Sequence, residues 1–403
     1  MTDSRPAGEV GTVLVAHPSP DLYGSDRVLI ETVAALRERG RRVVVTLPRP
    51  GPLVAPLGEL GAEMAILDVP VLRKALLSPS GVVRLAAASL RSLPEMLRLL
   101  HRERPDIVYV NTVTVPLWLL VARLSGRHVV AHVHEAEEAV PRPVRRALAL
   151  PLLAADLVVA NSRSTVRVLT GALPRVGART RLVYNGVPGP ATAVPVRAEL
   201  VPPARLILVG RLSPRKGSDI AIDAAAELRR AGYDVHLDLT GTVFAGYEWY
   251  EEQLREQVRR LRLTDVVRLL GFVPTVWDAY RDADIALVPS RVEPFGNVAV
   301  EAQLAGRPVV VARTQGLTEI VDDGRTGVVV RPDDPGALAA GVATLLDDWP
   351  RARAMAATAL AEAAQRFGPA RYRAEIADLV DGRVSARTGR RPAGRGLLGR
   401  TRG

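Results

Sequence analysis

Short runs of β-branched and aliphatic residues alternate with longer amphipathic stretches along most of this chain. The run at residues 12–16 reads as a strand, followed by a loop and by a stretch at about 25–39 whose apolar residues recur at helical spacing. Residues 43–47, 65–67, 107–111, 129–133, 157–160 and 181–184 read as further strands. Their near-continuous apolar character suits parallel strands covered on both faces. The helices between them complete βαβ units.

The alternation breaks at residues 186–203, where Pro188, Pro190, Pro195, Pro202 and Pro203 stand among small residues, and this reads as a linker. A second series follows, with strands expected at 205–209, 235–240, 267–269, 285–288, 309–311 and 328–330. The pattern predicts an α/β protein of two Rossmann-like, doubly wound domains. An N-terminal, acceptor-side domain covers 1–188, the linker 189–203 and a C-terminal, nucleotide-sugar-binding domain 204–367. A C-terminal helix at 368–382 is expected to return to the N-terminal domain, and 383–403 to form a basic disordered tail. Sheets of this kind bind ligands outside the carboxyl ends of their strands, so a cleft between facing domains is the expected site.

Composition narrows the class. At 48% hydrophobic residues the chain can bury two cores, and with no cysteine it makes no disulfide or thiolate metal site. Residues 1–10 are polar and lack the apolar core of a signal peptide. The most apolar stretches, 113–122 and 147–155, are far shorter than the roughly 20 residues of a membrane span. A soluble, cytoplasmic protein is expected. The net charge is +11, but residues 382–403 hold seven arginines and no acid, which leaves 11 − 7 = +4 on the body. That tail is either simply solvated or drawn to a polyanion, whether anionic lipid at the inner face of the cell membrane or another. Nucleic acid is set aside as a partner, because the body lacks the interleaved aromatic and basic residues of a single-strand groove.

The cations then single out one segment. Only two lysines, Lys74 and Lys216, occur among 54 Lys and Arg residues. Lys216 lies in Gly210-Arg211-Leu212-Ser213-Pro214-Arg215-Lys216-Gly217, between an expected strand and a helix expected to start near Lys216 or Gly217. A compact ammonium and a planar guanidinium would flank a helix N-terminus, whose free N–H groups and dipole favour phosphate. The plainer alternative is a basic surface turn. The second segment is Glu293-Pro294-Phe295-Gly296-Asn297-Val298-Ala299-Val300-Glu301, after the strand at 285–288. Glu293 falls in the loop and Glu301 in about the second turn of the next helix. An ionised carboxylate is acceptor-only and suits a ribose diol or sugar hydroxyls. The plainer alternative is one loop acid and one surface acid.

Together these segments resemble the retaining glycosyltransferases of the GT-B fold, family 4, and the likeness covers nearly the whole chain. Tyr184-Asn185-Gly186-Val187, Gly271-Phe272-Val273, Asp323-Gly324-(x)2-Gly327 and Tyr23-Gly24-Ser25 are similar to further stretches of that family. The resemblance implies that Arg211 and Lys216 bind the donor diphosphate, that Glu301 holds the ribose and that Glu293 contacts the donor sugar. Gly24, Gly210, Gly241, Phe272, Val273, Phe295, Gly296, Asn297 and Val298 complete the implied donor site, and His134 points at the reaction centre. The implied catalytic set is His134, Glu293, Arg211 and Lys216, with no metal and no cofactor beyond the nucleotide-diphosphate sugar. The expected acceptor is a glycan or lipid-linked glycan of cell-envelope or exported polysaccharide synthesis. One departure stands out: where the family often has Gly-Gly before Leu-x-Glu, this chain reads Thr314-Gln315-Gly316-Leu317-Thr318-Glu319.

His132-Val133-His134-Glu135 supplies a rival class. Period-two alternation places both imidazoles on one strand face, where a metal-dependent hydrolase could use them. A nucleotide-sugar epimerase of the same fold is a third reading. Gly394-Arg395-Gly396-Leu397-Leu398-Gly399 matches the dinucleotide fingerprint but has no strand before it and no helix after it. Residues 82–104 form a basic amphipathic helix pattern whose default role is packing on the sheet and whose alternative is a membrane surface.

Overall fold

The computed structural model describes residues 11–72, 79–135, 138, 140–192, 194–244, 246–273 and 275–388. Lys74, residues 389–403 and the Gly394-to-Gly399 match lie outside the described residues. The N-terminal part runs β1 (Thr12–Ala16), α1 (Gly24–Glu38), β2 (Arg42–Leu47), α2 (Val54–Glu59), β3 (Glu63–Ile66), α3 (Pro79–Glu103), β4 (Ile107–Val110), α4 (Pro116–Leu124), β5 (His128–Val133), α5 (Arg142–Ala149), β6 (Leu157–Ala160), α6 (Arg163–Ala172), α7 (Pro174–Gly177) and β7 (Thr180–Leu182). The C-terminal part runs β8 (Ala204–Val209), α8 (Ser218–Arg230), β9 (Val235–Thr240), α9 (Glu248–Arg260), β10 (Val267–Gly271), α10 (Val276–Asp282), β11 (Ile285–Val288), α11 (Asn297–Leu304), β12 (Val309–Ala312), α12 (Leu317–Ile320) and β13 (Val328–Val330). Helices α13 (Pro335–Asp347), α14 (Trp349–Phe367) and α15 (Pro369–Thr388) follow.

The strands form a seven-stranded sheet, β3-β2-β1-β4-β5-β6-β7, and a six-stranded sheet, β10-β9-β8-β11-β12-β13. Neighbouring strands run parallel, as in β1 with β2 and β4, and β8 with β9 and β11. The apolar runs account for this, since every residue of β1, β4 and β11 is buried. In the second sheet Leu206 and Leu208 pack with α8, α9 and α13, while Ile207 and Val209 face α10, α11 and α14. Strand order reverses beside β8, which has β9 on one side and β11 on the other. The loops leaving β8 and β11 therefore part at their carboxyl ends, the place where such sheets open a crevice.

The described chain divides into two compact units. One comprises the described residues up to His132, Ala147–Val159 and those from Arg373 on; the other comprises Val133–Arg146 and Ala160–Tyr372. The expected boundary at residue 188 separates the two sheets, but the second unit also takes in residues 160–188. Contacts within that unit explain the difference. The Glu319 carboxylate accepts from the Arg163 and Ser164 N–H groups at 2.9 Å each and from the Tyr184 hydroxyl at 3.1 Å. Asn185 Nδ2 donates to Asn297 Oδ1 at 2.9 Å.

One expectation about a helix end needs correction. Helix α15 runs to Thr388, past its expected end at residue 382. Propagating an established helix adds a hydrogen bond for each residue fixed. Helix α8 begins at Ser218, next to the expected start, after a single 3-10 turn over Pro214–Lys216.

Candidate functional site

Three loops of the second sheet meet at the switch point. After β8 the chain turns at Gly210, and the Leu212 N–H donates to the Thr242 carbonyl at 3.0 Å. Gly217 closes the 3-10 turn in the left-handed region, at φ +73°. A Cβ there would lie 2.2 Å from the Pro289 carbonyl oxygen, so only glycine lets the β8 loop rest against the β11 loop. Gly241, after β9, is placed likewise: its Cβ would lie 2.0 Å from the Gly210 carbonyl oxygen.

This approach brings Lys216 and Glu293 into an ion pair, although 77 residues separate them in the chain. Only 14% of the lysine side chain and 9% of the glutamate side chain is exposed. The Ser290 hydroxyl also donates to Glu293 Oε2, at 3.3 Å. Burial would push the Glu293 carboxyl up, but the Lys216 ammonium and the Arg215 guanidinium outweigh it and hold the group below its ordinary 4.5. The pair sets a largely buried cation beside an ionised acceptor.

The third loop, between β12 and α12, fixes the glutamate backbone. The Gln315 side-chain carbonyl accepts from the Glu293 N–H at 3.0 Å, and the Gly316 N–H donates to the Glu293 carbonyl at 3.1 Å. Gln315 occupies φ +36°, a region that non-glycine residues seldom adopt. The residue that departs from the family pattern is thus the one bracing Glu293.

Arg291 ties the ensemble together. Its guanidinium donates to both Asp219 oxygens at 2.9 and 2.7 Å, to Asp333 at 2.8 Å and to the Pro214 carbonyl at 2.6 Å. Burial would raise the Asp219 carboxyl, but Arg291 draws it below its ordinary value. Sequence reasoning missed Arg291 and Asp219. Position in the Pro289-Ser290-Arg291 turn was the one available signal.

The remaining expected residues divide. Arg211 leaves β8 with its guanidinium 3.3 Å from the centre of the Phe244 ring, a cation–π partner that sequence reasoning also missed. Phe272, 57% exposed, and Val273 follow β10, whose last residue Gly271 bridges to Gly241. Gly296 precedes α11, Asn297 begins it, and Glu301 is buried in its second turn. Val298 is half-buried and accepts from the Tyr280 hydroxyl at 3.1 Å. Phe295 turns inward. Its side chain is 2% exposed and packs against the Tyr184 and Phe367 rings, with centroids 6.0 and 5.7 Å away. Only its main chain can line a ligand.

In the first unit Gly24 is the opening residue of α1. Beside it lies a buried network: His17 Nε2 bonds Asp26 Oδ1 at 2.7 Å, and Asn111 Nδ2 lies 3.1 Å from His17 Nδ1. The expected histidine pair is divided. His132 lies wholly buried in β5 with Nδ1 2.9 Å from the Tyr109 hydroxyl. His134 follows the strand, and its N–H donates to the Glu135 carboxylate at 3.1 Å. Among the described residues no group of three or more His, Asp or Glu is arranged to hold a metal.

Comparison with known proteins adds independent findings. Residues 197–362 match the family described as glycosyl transferases group 1, and residues 23–188 match that described as Glycosyltransferase Family 4. The D-inositol 3-phosphate glycosyltransferase 2 of Catenulispora acidiphila is 38% identical over 239 residues, 56% of this chain and 56% of that protein. The D-inositol 3-phosphate glycosyltransferase of Kineococcus radiotolerans is 37% identical over 284 residues, 62% of this chain and 65% of that protein. The matched stretch therefore spans less than two thirds of either relative. The crystal structure of Anabaena Alr3699/HepE in complex with UDP and glucose superposes with a TM-score of 0.78 at 25% identity, covering 92% of this chain and 99% of that one.

Proposed function

Because the chain belongs to glycosyltransferase family 4, the glycosyl transferases group 1, and has the GT-B fold, we propose that it moves a sugar from a nucleotide-diphosphate sugar to an acceptor hydroxyl, with retention at the anomeric carbon. The observation that carries this reading is the buried Lys216–Glu293 pair at the switch point. When the bond between the anomeric carbon and the diphosphate oxygen breaks, negative charge grows on the leaving group. Lys216, Arg211 and the N–H groups opening α8 and α11 are preorganised donors for that charge. Glu293 accepts from sugar hydroxyls, and Glu301 from the ribose. The acceptor oxygen bonds the anomeric carbon on the face the diphosphate leaves, and its proton passes to the departing phosphate oxygen. The cations serve in place of a metal, so turnover is expected to survive a chelator.

The UDP and glucose in the Anabaena complex favour a UDP-hexose donor. The acceptor we assign is a glycan or lipid-linked glycan of the cell envelope. The test is release of nucleoside diphosphate in the presence of candidate acceptors, with D-inositol 3-phosphate among them. Lys216→Ala and Glu293→Ala should each lower turnover by about 100-fold or more while leaving the circular dichroism unchanged. Near-normal turnover in either variant overturns the reading. Release that needs no acceptor and yields an isomerised sugar favours the epimerase.

A further inference from the structure

We propose that the solvent face of α3, together with the adjoining face of α4, is a docking surface for an anionic lipid bilayer. Helix α3 buries Met96, Leu99 and Leu100. About a third of a turn round the helix from them, Val83, Leu90 and Leu97 are 68%, 70% and 45% exposed. Seven-residue spacing stacks them in one line along the helix. Arg84, Arg91 and Arg98, each one residue further on, form a second exposed line beside the first. A surface helix ordinarily turns polar residues away from the core, so a helix that carries a second, exposed apolar line has a further surface to cover.

The apolar line does not stand alone. Helix α3 packs against α4, where Leu120 and Leu124 are 46% and 88% exposed. Helix α4 packs in turn against the 3-10 turn Leu150–Ala154, which exposes Leu150 and Leu153. Seven of the fifteen large hydrophobic residues exposed among the described residues thus lie on three neighbouring elements of one unit.

Charge decides the occupant. Four exposed arginines of α3, Arg102 included, stand against two acids in the helix, Glu95 and Glu103, and Glu103 is already held by Arg42 and Arg102. Leucine and valine beside arginine is the composition that settles at the boundary of headgroups and acyl chains. The apolar side chains enter that boundary, and the guanidinium groups meet lipid phosphates. A second copy of this chain would bring the arginine rows against each other. The inference goes beyond the donor-site reading and stands on different residues. If both hold, the surface brings the enzyme to a lipid-linked acceptor.

The test is flotation of the full-length protein with phosphatidylcholine vesicles, with and without phosphatidylglycerol. Binding should need phosphatidylglycerol and fall as salt is raised. Leu90→Ser/Leu97→Ser and Arg91→Glu/Arg98→Glu should each weaken partitioning by about tenfold or more, with melting temperature unchanged because the side chains face solvent. A full-length variant with the tail arginines Arg390, Arg391, Arg395, Arg400 and Arg402 changed to glutamine should still float. Three results overturn the proposal: binding that follows the tail arginines and ignores α3, no preference for phosphatidylglycerol, or a solution dimer that the Leu90→Ser/Leu97→Ser change dissociates.

Discussion

Glu293 shows how one residue acquires its chemistry from neighbours remote in sequence. Its ionised form is favoured by Lys216 and Arg215 against the pull of burial. A carboxyl held below its ordinary 4.5 contributes stability that is complete above that pH and is lost as pH falls through the folded-state value. Glu293→Gln keeps the shape and removes the titration. It should destabilise the protein by about 1–3 kcal/mol at neutral pH. The gap in melting temperature between the two proteins should close as pH falls below 4.5. A gap that stays constant down to pH 3 would show that the pair does not stabilise the fold. At this scale the motif residues were legible. Phe244 and Arg291 were not, because a ring under a guanidinium leaves no local pattern and a fork spanning three loops leaves only its place in a turn.

The elements were read largely by periodicity, which is a local property. Strands β9, β11 and β13 match their apolar runs. Strand β3 begins earlier than its apolar residues suggest. It closes one edge of its sheet, and its first residue Glu63 is exposed and paired to Arg42. Helix α8 depends on a contact from outside it: Arg291 holds Asp219 in its first turn and the Pro214 carbonyl ahead of it. Arg291→Ala should cost about 1–3 kcal/mol in denaturant unfolding and should weaken nucleotide binding by calorimetry. Lost stability with unchanged nucleotide affinity would confine Arg291 to a scaffold role.

At the scale of the molecule, charge pairs fasten the last helix to the first unit. Arg41 donates to Asp381 at 2.6 Å, Arg39 to Asp378 at 2.5 Å, and Arg373 to Glu31 at 2.7 Å. Most of these groups are half-exposed and contribute little singly. Arg41 and Glu31 are the exceptions, at 10% and 7% side-chain exposure. Asp381→Ala should therefore lower the melting temperature, and Asp378→Ala should scarcely change it. Equal effects would count against burial as the deciding variable. Nucleotide sugar near 100 times its Kd should stabilise the wild type by about 2.7 kcal/mol. A panel of UDP, GDP, ADP and TDP sugars read by thermal shift will identify the base.

By itself the sequence determined the two series of βαβ units, the proline-rich break between them and the two motif segments, because hydrophobic period, turn chemistry and spacing are all local. Tertiary structure decided what those segments meet. Strand order brought the loops after β8 and β11 together, a glycine without a Cβ let them touch, and Gln315 came to rest on the Glu293 amide. It also decided which face of α3 the core covers and which leucines are left to solvent. An amphipathic pattern states that a helix has two faces. Only packing against a particular sheet chooses between them.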